Sequence, residues 1–228
     1  MDVLQIGSIA ILLKWVLLAA AVVMGIIIIR IWMFRTLDSR IGKRIFDLLI
    51  NSLFIGFFAW KGSLLVLEPG LIMRSPMSLL YFTGGRDGLV IAIICAIIYF
   101  LIKAVKMDIN KHLALQTLFI FGSAVLGIYH LFFAFFLQGD VVFHSFIGIA
   151  ALLASIFNRM LQTRKKMLSF AILFSFGYEI FSLALVHSEG QILFFTSDQW
   201  FFILVILFSL YSLEKENTEN KKVETKDE

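Results

Sequence analysis

Lys61, His130, His144, Tyr178 and Glu179 are polar side chains set in long apolar stretches of the sequence. A histidine can accept a proton or ligate a metal. A glutamate in a membrane interior either pairs with a cation or is held protonated, and it can work as a general acid or base or clamp a polar substrate; Tyr178 beside it is suited to the same substrate. Lys61 is placed to anchor a phosphate or carboxylate headgroup. Each also has a plainer reading. Lys61 can snorkel its ammonium to the interface, and Glu179, His130 and His144 can serve as polar glue between helices. Two histidines without a third ligand make a weak metal site, and the single cysteine, Cys95, adds nothing to it. No metal or cofactor is expected.

The segment Thr83-Gly84-Gly85-Arg86-Asp87-Gly88 is the most pointed local feature. Adjacent glycines before a helix bare backbone N–H groups that favour anions, and the Arg86 guanidinium matches phosphate or carboxylate geometry. Asp87 is suited to the N-cap of the helix that follows. Gly84, Gly85, Arg86 and Asp87 therefore join Lys61 and Tyr178 as candidate substrate-binding residues, with His130, His144 and Glu179 as candidate catalytic ones. The plain alternative is turn chemistry with a solvated Arg–Asp pair.

The elements that must position these groups are membrane helices. Hydrophobic residues make up 60% of the 228, and the mean hydropathy is +0.93; soluble domains run nearer half apolar. A spanning helix needs roughly 20 mostly apolar residues. Seven runs qualify: Trp15 to Phe34, Phe46 to Leu67, Gly88 to Ala104, Leu113 to Leu137, Val141 to Phe157, Met167 to Val186 and Ile192 to Leu213. The fourth and fifth are separated only by Gln138-Gly139-Asp140, so they form an antiparallel pair.

Basic residues gather at the ends of the first, third, fifth and seventh runs: Arg30, Arg35, Arg40, Lys43 and Arg44; Lys103, Lys106 and Lys111; Arg159, Arg164, Lys165 and Lys166; Lys215, Lys221, Lys222 and Lys226. The positive-inside rule then places the amino terminus outside and the carboxyl terminus in the cytoplasm. The expectation is an all-α polytopic membrane protein. Residues 1–14 form an outer interfacial arm, residues 15–213 about seven transmembrane helices, and residues 214–228 a disordered, solvated cytoplasmic tail. The start lacks a positive n-region, so it is not read as a cleaved signal peptide.

The order of these features resembles the prolipoprotein diacylglyceryl transferase family. Leu4-Gln5-Ile6-Gly7 followed by Lys14-Trp15 is similar to that family's outer arm, and Phe46-Asp47-Leu48-Leu49 to the start of its second helix. Ala59-Trp60-Lys61 stands where the family has Gly-Ala-Arg. Pro76, Gly84-Gly85 and Gly88-Leu89 resemble the approach to its His-Gly-Gly-Leu-Ile-Gly motif, and Asp198-Gln199-Trp200 the start of its last helix. There are departures. The histidine of His-Gly-Gly is missing, Val16 replaces a tyrosine, and Gly127 and His130 stand where arginine and asparagine belong. Tyr178 and Ser182 occupy the positions of an Arg…Glu pair, with Glu179 adjacent.

The resemblance implies a bacterial plasma-membrane enzyme that moves diacylglyceryl from phosphatidylglycerol to the cysteine of a lipoprotein precursor, with phospholipid and lipoprotein as partners and no nucleic acid. Lys61 and Arg86 would hold the phosphate, and His130, His144 or Glu179 would take the thiol proton. A catalytically silent relative that binds lipid or lipoprotein is the alternative, and a small transporter or channel the third reading.

Overall fold

The runs of Leu, Ile, Phe and Ala between charged clusters form helices because nothing inside them competes for the backbone: proline is rare (Pro 2 in the whole chain) and lipid offers no other hydrogen-bond partner. The computed structural model describes residues 3–6, 9–74, 84–137, 140–156, 163–185 and 197–224. It opens with a hairpin of β1 (Val3–Ile6) and β2 (Ile9–Leu12), antiparallel, with Val3 opposite Leu12 and Ile6 opposite Ile9. That hairpin occupies the expected interfacial arm.

Helices follow: α1 (Leu13–Thr36), α2 (Ser39–Gly62), the short α3 (Leu64–Leu67) and α4 (Pro69–Arg74), α5 (Gly85–Lys106), α6 (Lys111–Phe136), α7 (Val141–Ile156), α8 (Arg164–Leu185) and α9 (Ser197–Glu224). Among the described residues five stretches are long and apolar enough to cross a membrane: Leu13–Thr36, Ser39–Leu67, Gly85–Lys106, Lys111–Phe136 and Lys165–Ala184. Only 22–33% of each stretch's most apolar window is buried within the protein, so lipid must cover the rest. The chain is a multi-pass, membrane-embedded helical protein. Two further apolar helices, Val141–Ile156 and Phe202–Glu214, are shorter. α9 runs past Leu213 to Glu224, over residues expected as a solvated tail; that stretch is rich in Glu and Lys, which are good helix formers, and has no Gly or Pro.

The chain divides into two compact units, residues 1–28 with 119–228, and residues 29–118. In the second, α2 packs along α5. The buried positions of α2, Gly42, Ile45, Leu48, Leu49, Ser52 and Gly56, recur at helical spacing. Those of α5, Gly88, Ala92, Phe100 and Ala104, recur at multiples of four. Small residues let the backbones close: a Cβ on Gly56 would stand 3.2 Å from the Ala92 carbonyl oxygen and 3.1 Å from the Ala96 Cβ. The α5–α6 turn is tied off by a Schellman motif. Asp108 takes φ 54°, its N–H donates to the Val105 carbonyl at 3.2 Å, and the Ile109 N–H donates to the Ala104 carbonyl at 3.0 Å. The Asn110 side chain accepts from the His112 N–H at 2.8 Å and caps α6, and Arg44 donates to the Met107 carbonyl.

In the first unit, α8 packs against α9 and α7. Phe143, Ile147, Tyr178 and Phe202 form its buried centre, with Leu126, Phe174 and Phe181 around them.

Candidate functional site

Gly127 on α6 and Gly148 on α7 meet in the first unit. A Cβ at Gly127 would lie 2.9 Å from the Gly148 carbonyl oxygen, and one at Gly148 would lie 3.0 Å from the Gly127 oxygen. Only hydrogen is small enough there, and the two backbones touch. His130 lies three residues after Gly127, and His144 four residues before Gly148. In an antiparallel pair, levelling the glycines brings the histidines to nearly the same height. The result is a hydrogen bond between His130 Nδ1 and His144 Nδ1 at 2.9 Å.

One ring must donate and the other accept. In neutral rings the donor then keeps a bare Nε2, while the acceptor carries its proton on Nε2. The pair therefore offers one basic nitrogen. Phe133 lies against His144 with centroids 4.4 Å apart, and Phe143 touches both rings at 5.2 and 6.1 Å.

From Phe143 the ring contacts continue to Tyr178 at 5.5 Å and from Tyr178 to Phe202 at 4.0 Å. Tyr178 thus shares one aromatic cluster with the histidines. Glu179, the next residue, is only 9% exposed and hydrogen-bonds to neither histidine: both of its carboxylate oxygens are enclosed and have no hydrogen-bond partner. One turn along α8, Ser182 accepts a 3.2 Å hydrogen bond from the Gln199 amide of α9. The glycine contact and the Ser182–Gln199 bond were not expected from the sequence. The mirrored order Gly-x-x-His and His-x-x-x-Gly across a short turn was the available signal for the first. Gln138 and Gly139 of that turn lie outside the described residues.

The second unit holds the glycine-rich segment. The Trp60 indole N–H donates to the Gly85 carbonyl at 3.1 Å, and Ser63 Oγ donates to the Trp60 carbonyl at 2.7 Å. Ser63 Oγ occupies the space that a Cβ on Gly84 or Gly88 would need. Both glycines therefore serve to dock the start of α5 onto the end of α2. Gly85 takes φ +62°. Asp87 is not the N-cap: the helix begins two residues earlier, with Gly84 capping and no side-chain cap bond, and Asp87 sits in the first turn where its charge suits the helix dipole. Arg86 and Asp87 are exposed, and Lys61 is half-buried in the last turn of α2. Thr83, Pro76 and the stretch from Met77 to Phe82 lie outside the described residues.

Gly85→Ala is expected to lower stability by about 1 kcal/mol, because the left-handed backbone penalises a Cβ even where space is open. Thermal unfolding in detergent measures it, and an unchanged midpoint would remove the left-handed turn from the account.

Among the described residues no three of His, Cys, Asp or Glu are grouped to hold a metal ion. No family model, curated protein or solved structure matches the chain.

Proposed function

We propose that the chain is a divergent enzyme of the prolipoprotein diacylglyceryl transferase type, with seven spans in a bacterial plasma membrane, its amino end outside and its carboxyl end in the cytoplasm. The observation that carries the proposal is the 2.9 Å His130–His144 hydrogen bond inside an apolar helix pair. Ionisable groups are costly in a membrane interior and are kept there for function by default. In this reading a cysteine thiol attacks the glyceryl carbon of phosphatidylglycerol, the carbon–oxygen bond to phosphate breaks, and glycerol phosphate leaves with the electron pair. The bare imidazole nitrogen of the pair takes the thiol proton. Glu179 is a poorer base because both its oxygens are enclosed. It is the sequence resemblance alone that assigns Lys61 and Arg86, in the second unit, to the anionic headgroup. The collinear sequence resemblance and the multi-pass helical fold support the enzyme reading.

A silent scaffold that binds lipid or lipoprotein is the second reading, favoured by the burial of His130, which is 8% exposed. The two separate in one assay. Purified protein receives phosphatidylglycerol labelled in its diacylglyceryl group and a lipobox peptide. The enzyme reading expects label on the peptide cysteine, lost with Lys61→Ala or Arg86→Ala. Saturable lipid or peptide binding without transfer would establish the scaffold instead.

A further inference from the structure

We propose that Glu179 is the anionic ligand of a buried monovalent metal-cation site in the first unit, with sodium as the fitting ion. The inference stands apart from the histidine pair and from any transfer activity. Ser175, Glu179 and Ser182 are spaced four and three residues apart on α8, which puts them on one face of the helix. All three are buried, at 1, 9 and 6% exposure.

Both Glu179 oxygens are enclosed and lack a hydrogen-bond partner, so among the described residues no donor answers this carboxyl group. The Gln199 amide of α9 donates to Ser182 Oγ at 3.2 Å. No lysine or arginine occurs in residues 119–156, 167–185 or 197–213, so these helices bring no counter-charge into the interior. A buried charge is kept only when it is paired or coordinated.

A small cation fits the missing partner, and a proton held on the carboxyl is the competing occupant that the comparison of salts at fixed pH separates. A lipid headgroup is too large to reach oxygens closed off on all sides, whereas a bare ion is not. Carboxylate and hydroxyl oxygens are hard ligands, the kind that hard cations take. Glu179 with the Ser175 and Ser182 hydroxyls supplies that class on one helix face, and Gln199 holds Ser182 in place.

The test follows thermal unfolding of the full chain in a non-ionic detergent at fixed pH and ionic strength, with sodium chloride or N-methyl-D-glucamine chloride as the salt. Sodium is expected to raise the midpoint by roughly 2–4 °C at saturation, as a ligand bound only by the folded state does. Glu179→Gln, which keeps the shape and removes the charge, should abolish the sodium response. Ser182→Ala should shift its half-maximal concentration upward several-fold. Should Glu179→Gln fail to fold, the wild-type comparison and the Ser182→Ala titration still decide. Equal midpoints in the two salts would overturn the site, including the case in which the midpoint follows pH alone. A full sodium response in Glu179→Gln would overturn it as well.

Discussion

In the enzyme proposed above, His144→Ala is expected to lower diacylglyceryl transfer by roughly 10²–10⁴-fold, the usual contribution of a positioned acid or base. His144 and His130 share one hydrogen bond at 2.9 Å, and removing either ring leaves the other without its partner. Groups that act as a unit are not additive, so His130→Ala combined with His144→Ala should cost little more than either alone. Packing loss is the competing explanation, because His144 lies against Phe133 at 4.4 Å and Phe143 at 5.2 Å. His144→Phe separates the two, since it keeps an aromatic ring among aromatic rings and removes only the nitrogens. Near-normal transfer in His144→Phe would show that the ring serves packing and would sink the base assignment. Phospholipid binding should persist in all these variants.

The second large effect is expected at the glycine contact. Gly127→Val should lower stability by about 1–3 kcal/mol, the range for overpacking a tight interior. The new Cβ would meet the Gly148 oxygen and the Leu152 nitrogen, each at 2.9 Å, and backbone atoms cannot step aside as a side chain can. Each site also meets a leucine side chain at 2.8 Å, but Gly148→Val should be somewhat milder, because a Cβ there meets one backbone atom, the Gly127 oxygen at 3.0 Å, rather than two. The control lies on the same helix: a Cβ at Gly122 meets nothing within 4 Å, so Gly122→Val should be close to neutral. Thermal midpoints in detergent measure all three. Equal losses at Gly122 and Gly127 would mean that valine harms α6 as such and that the glycine contact sets nothing. If the contact does hold the histidines level, Gly127→Val also loses transfer activity in whatever protein remains folded.

The site candidates were legible to different degrees, for physical reasons. His130, His144 and Glu179 stood out because a polar group in an apolar run is costly whatever it touches. The short turn between their helices restricts the antiparallel register and puts the two histidines at a similar depth, but the bond between their rings is decided by the packing of the helices. Asp87 was misjudged as a cap because three residues, Gly84, Gly85 and Asp87, can each open a helix; the choice fell to Gly84 through the contact between Ser63 and the glycines, which no local pattern encodes. The roles of Gly84 and Gly88 changed for the same reason, from baring N–H groups to admitting a neighbouring side chain. α9 continues to Glu224 because the helix propensity of Glu and Lys outweighs the charged composition that points to a solvated tail.

By itself the amino-acid sequence determined that this is a helical protein with lipid as its main solvent, and which polar residues lie inside its apolar stretches. Both follow from local quantities: the length of an apolar run and the cost of a polar group within it. Only the tertiary structure decided which of those residues meet. It joined His130 to His144 through a glycine contact, left Glu179 enclosed without a partner, and gave Ser182 to Gln199. Such choices depend on which backbones approach within touching distance, and that is settled by the absence of a Cβ at a few positions where two helices meet.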